Sequence, residues 1–139
     1  MNQPPEDTFD DPLDEGTDEP TDEFGASNSY VMVQVTTASP DEAEKIARAA
    51  VDGGLASSAQ IAPVRTRYRW QGASHEASEQ LITMYTRLDR FNALADCVRA
   101  HHSYDVPQIV ALPVIDATAS FLRWIDESTL PDDDEPEKP

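Results

Sequence analysis

Cys97 and His101 stand four residues apart in a segment whose apolar residues Phe91, Leu94, Ala95 and Val98 repeat at i, i+3, i+4 and i+7. That period predicts a helix, and the i, i+4 spacing places thiol and imidazole on one face of it. A thiolate beside an imidazole suits a soft or borderline ion such as copper or zinc. His102 follows directly, and Asp105 stands just beyond the expected helix end. Cys97, His101 and His102 are therefore the candidate metal ligands. Cys97 and His101 alone fall short of a tetrahedral set, and other copies of the chain could supply the remainder. The competing expectation is that Cys97 is a small core residue beside Leu94 and Val98, because free cysteine is among the most buried residue types.

No catalytic set accompanies these residues. The chain has no Gly-rich phosphate loop, no Ser-His-Asp order and no paired carboxylates flanking a cleft. Ser57 and Ser58 lack the flanking pattern of a nucleophile elbow. The expectation is a protein that is not an enzyme.

The elements that must position the candidates are legible in outline. Tyr30 to Val35 is short and β-branched and reads as a buried strand. Ser39-Pro40-Asp41-Glu42 predicts a helix start, with serine at the N-cap, proline at the first helical position and Glu42 closing a capping box. Ala43, Ile46, Ala47, Ala50 and Val51 continue it, and Gly53-Gly54 ends it. Residues 58–70 read as a second strand, Gln71 to Ser74 as a turn, and Glu76 to Arg87 as the returning third strand. Asp89 is expected to cap the helix that carries Cys97. Val106 precedes Pro107 and is pushed to an extended conformation, opening a fourth strand over Gln108 to Val114. Thr118 to Ser128, with Phe121, Leu122, Trp124 and Ile125, reads as a last amphipathic helix. The order β-α-β-β-α-β predicts an α+β, ferredoxin-like sandwich with an extra C-terminal helix.

Charge divides the chain of 139 residues into three parts. The net charge is -17, yet residues 1–29 hold 10 acidic side chains and no Lys or Arg, a charge of -10. Residues 130–139 hold five acidic residues and one lysine, a charge of -4, which leaves only -3 for residues 30–129. Both ends are Pro-rich and poor in large apolar side chains, so they are expected to be acidic disordered tails around one domain over 30–129. Their most economical role is solubility, since carboxylates without fixed geometry bind hard cations unselectively. The acidic balance argues against nucleic acid or an anionic membrane as partner. No stretch reaches the ~20 apolar residues of a membrane-spanning helix. The N-terminus lacks a secretory signal pattern. One cysteine excludes an internal disulfide and fits a reducing, cytoplasmic setting.

Tyr68-Arg69-Trp70-Gln71-Gly72, the strand Leu81 to Thr86, His101 to Pro107 and Ile109 to Pro113 follow one another in an order that resembles the CutA family of divalent-cation tolerance proteins. The similarity runs from about Val31 to Trp124. It implies a homotrimer whose three sheets pack around an axis, and a part in tolerance of divalent metal ions, chiefly copper. It further implies that Trp70, Glu79, Tyr104 and Pro107 lie at a cleft between subunits. Glu79 is expected either as a solvated strand residue or as a partner of Arg67 or Arg69 across the hairpin. The chain also departs from the family. Val35 and Ser58 stand where some members have cysteines, leaving only Cys97. Ala73 and Tyr85 stand where lysines are common, which removes positive charge from the cleft. The alternative function is therefore a signal-sensing regulatory trimer that binds a small, neutral ligand near Trp70 and Tyr104.

Overall fold

The structure is a computed structural model that describes residues 29–129, so the two acidic tails expected from the sequence lie outside the described residues. Strand β1 (Tyr30–Thr37) leads into helix α1 (Pro40–Asp52), then strands β2 (Ser58–Trp70) and β3 (Ala73–Arg87). A single 3₁₀ turn (Leu88–Arg90) enters helix α2 (Phe91–His101), followed by β4 (Ile109–Pro113) and helix α3 (Ala119–Ser128). The strands form one sheet in the order β2-β3-β1-β4, every neighbour antiparallel. This is the ferredoxin-like sandwich with an added C-terminal helix that the element order predicts.

Alternation along β1 builds the core. Val31, Val33, Val35 and Thr37 are buried, while Tyr30, Met32, Gln34 and Thr36 turn to the other face and are half-buried. Ile82 and Met84 of β3 join the buried face. Ala43, Ile46 and Ala50 of α1 and Leu94 and Val98 of α2 pack against it, all with less than one per cent of their surface in contact with solvent. β2 is an edge strand and so accommodates Pro63, which cannot donate to a ladder. On the outer face α3 covers one end of the sheet. There Tyr30 Oη donates to Asp126 Oδ2 at 2.8 Å and Phe121 meets Tyr85 edge-on with centroids 5.4 Å apart.

Three local expectations are corrected. Ser39 caps α1 as predicted, accepting from the Glu42 N–H at 3.2 Å, but the Glu42 carboxylate does not close the box. It turns instead to the 102–108 loop. Asp89 does not cap α2: it sits in the 3₁₀ turn and binds the Arg87 guanidinium at 2.7 Å, while α2 starts without a side-chain cap. The β2–β3 turn is also tighter than expected. Only Gln71 and Gly72 form it, both at positive φ (52° and 82°), so β3 begins at Ala73. Two left-handed residues give the hairpin a twist that matches its strands.

Candidate functional site

The α2–β4 loop is fastened at several points before it reaches the sheet. Glu42 of α1 accepts from the Ser103 N–H at 2.7 Å and from the Ser103 hydroxyl at 3.0 Å. His102 donates from Nε2 to the Thr36 carbonyl at 2.7 Å, and its Nδ1 accepts from the Tyr104 N–H at 3.1 Å. These bonds fix the tautomer with the proton on Nε2 and seat Tyr104 over β3.

Tyr104 Oη donates to Glu79 Oε2 at 2.6 Å. Burial, with the Glu79 carboxylate alongside, pushes the Tyr104 hydroxyl well above its ordinary range, so it stays a donor. Glu79 is only 6% exposed. This overturns both expectations for that residue. Direct pairing places Glu79 opposite Val64 and Glu76 opposite Arg67, so period 2 puts Glu79 on the face away from Arg67 and Arg69. Glu76 takes the ion pair instead, at 2.9 Å from Arg67.

Glu79 and Tyr104 belong to a cleft of about 370 Å³ on the outer face of the sheet, lined also by Thr36, Thr66, Tyr68, Trp70, Asp105, Val106 and Gln108. Trp70, Glu79 and Tyr104, three of the four residues expected to share a cleft, are thus brought together. Pro107 is half-buried between two lining residues and does not line the cleft itself. Tyr68 was missed as a lining residue, although it alternates with Trp70 in the sequence and so must share its face.

Of the candidate metal ligands, Cys97 and His101 lie one turn apart on α2. His101 donates from Nδ1 to the Cys97 carbonyl at 2.9 Å, which leaves the lone pair of Nε2 free on an exposed ring. The Cys97 thiol is half-buried, and burial raises its pKa. His102 does not join them, because both of its ring nitrogens are engaged by backbone groups and its side chain is 1% exposed. Among the described residues no group of three or more His, Cys, Asp or Glu side chains is arranged to hold a metal ion. No helix among them is long and apolar enough to cross a membrane.

The family model for the CutA1 divalent ion tolerance protein matches residues 31–128. The divalent-cation tolerance protein CutA of Thermus thermophilus is 39% identical over 99 residues, covering 70% of this chain and 96% of its own. The chloroplastic protein CutA of Arabidopsis thaliana is 33% identical over 100 residues, 71% of this chain. The chain spans about half of that plant relative, 55% of its length. Among solved structures, the periplasmic divalent cation tolerance protein CutA from Archaeoglobus fulgidus is similar with a TM-score of 0.71 and 34% identity, over 72% of this chain and 98% of that one. CutA1 from the psychrotrophic bacterium Shewanella sp. SIB1 aligns with a TM-score of 0.73 at 25% identity, over 76% and 99%.

Proposed function

This chain belongs to the CutA1 divalent ion tolerance family, and from that premise we propose that it is a non-enzymatic protein of divalent metal tolerance that binds copper weakly through Cys97 and His101. The observation that carries the metal assignment is the His101 tautomer. With Nδ1–H held by the Cys97 carbonyl, Nε2 presents a lone pair one helical turn from a thiol. Thiolate and imidazole together favour copper over harder ions. Two donors make a weak site, and a second copy of α2 would complete it.

The assembly proposed is a homotrimer. Its support lies on the outer sheet face, where α3 covers only the Tyr30 end and Val110 and Leu112 of β4 remain exposed. An apolar sheet face left open in this way calls for a partner surface. The compartment proposed is the cytoplasm, on the ground that the one cysteine is a free thiol.

Native mass spectrometry of the full chain during a copper titration tests both parts. A trimer that retains a fixed number of copper ions, and loses them in Cys97→Ser and His101→Ala, is the expected outcome. Scattered, non-saturating adducts that neither substitution changes would remove the direct-binding role, and a monomer would remove the assembly.

A further inference from the structure

The cleft beside Glu79 has a chemistry of its own, independent of the Cys97–His101 pair. Within one chain its walls are the rings of Tyr68, Trp70 and Tyr104, and the lining that chain supplies includes two carboxylates, Glu79 and Asp105, with no lysine or arginine. Glu79 lines this cleft and its Oε2 is held by Tyr104 Oη, while no hydrogen bond among the described residues engages its Oε1. The nearby guanidiniums do not neutralise it. Arg65, Arg67 and Arg69 pair with Ser78, Glu76 and Ser74, positions that face the opposite side of the hairpin.

A nearly buried carboxylate among aromatic faces is an arrangement that selects positive charge. Ring faces attract a cation through their quadrupole, most strongly where water is excluded. Ring faces are poor ligands for a hard divalent ion, however, and among the described residues no group of three or more His, Cys, Asp or Glu side chains is arranged to hold one. The volume, about 370 Å³, lies within the range that holds small organic ligands rather than a bare ion. We propose that this cleft binds a small organic ammonium ion whose apolar body packs between Tyr68, Trp70 and Tyr104 while its N–H groups donate to Glu79 Oε1. The ligand is thereby charged, not neutral as expected near Trp70 and Tyr104.

The chain has two tryptophans, so a full-length Trp124→Phe protein leaves Trp70 as its only indole. Titration with phenethylammonium is expected to change Trp70 emission saturably. 2-Phenylethanol, which has the same body without the charge, is expected to bind at least about tenfold more weakly, as is phenethylammonium to Glu79→Gln. Glutamine retains an acceptor for Tyr104, so that variant is expected to keep the fold. Tyr68→Leu, followed by calorimetry, is expected to weaken the ammonium several-fold through its wall alone. Equal affinity for the alcohol, an unchanged Glu79→Gln, or no saturation would each overturn the proposal. Because neither Cys97 nor His101 enters this experiment, its failure would leave the copper assignment untouched, and the reverse holds as well.

Discussion

Tyr104 Oη lies 2.6 Å from Glu79 Oε2, joining two residues 25 positions apart and fixing the α2–β4 loop to strand β3. The bond satisfies a carboxylate that the sheet has almost removed from water. Tyr104→Phe takes away its donor and is expected to cost about 1–3 kcal/mol. The check is a lower urea midpoint at an unchanged denaturant slope. Glu79→Gln keeps an acceptor and is expected to cost less than Tyr104→Phe.

The same bond sets a limit on alkaline stability. Tyr104 and Tyr30 both ionise above the ordinary value of 10.0, each through burial first and then a bond to a carboxylate, Glu79 and Asp126 respectively. A folded-state pKa above the unfolded one means the contribution is complete below that ordinary value and disappears as pH rises through the folded value. Stability is therefore expected to hold up to about pH 10 and to fall beyond it. Tyr104→Phe starts lower and falls less steeply. Denaturant midpoints across the alkaline range would show whether the two curves converge.

The hairpin turn stores strain at one residue. Gln71 sits at φ 52°, a conformation that disfavours ordinary side chains, whereas Gly72 at φ 82° carries no such penalty. Gln71→Asn would produce the Asn-Gly pair favoured in two-residue hairpins, and a gain of about 0.5–1 kcal/mol is expected. Gly72→Ala is expected to cost a similar amount through backbone strain alone, since an added Cβ would meet nothing within 4 Å. Thermal unfolding of the two variants should shift in opposite directions.

Copper affinity is expected to rise with pH. Burial lifts the Cys97 thiol above its ordinary value of 9.0, so at neutral pH the metal must displace a proton. Each unit of pH below that value multiplies the thiolate fraction by about ten, and the apparent affinity should follow. Competition with a chelator under anaerobic, reducing conditions reads the slope. Cys97→Ser should flatten it, while His101→Ala should weaken binding with the slope retained.

Local chemistry made much of the fold legible. Ser39-Pro40 and Gly53-Gly54 mark the ends of α1 because capping and chain termination depend on neighbours in sequence. The span of β2 and the helical face around Leu94 and Val98 follow from periodicity in the same way. What escaped depends on register and long-range contact. The sequence reads Glu79 as solvated because its burial depends on Tyr104 arriving from a distant loop, and only the strand pairing shows that Arg67 faces away from it. His102 looked like a ligand beside His101, yet its nitrogens are claimed by Thr36, 66 residues away, and by the Tyr104 backbone. Glu42 was legible as an N3 glutamate, but not as the anchor of Ser103.

The Tyr30–Asp126 bond, described as the docking of α3, also decides where the chain can be held. It brings Asp126, three residues before Thr129, onto the first residue of β1, so both ends of the described region leave the same end of the sheet. The cleft begins at Thr36, six residues farther along β1 and roughly 20 Å away at the rise of an extended strand. The two ends of the described region therefore share one pole of the sheet, and the cleft lies toward the other. A support that grips the Tyr30–Asp126 end would hold the protein away from its cleft, leaving Trp70 and Glu79 at the far end of the sheet.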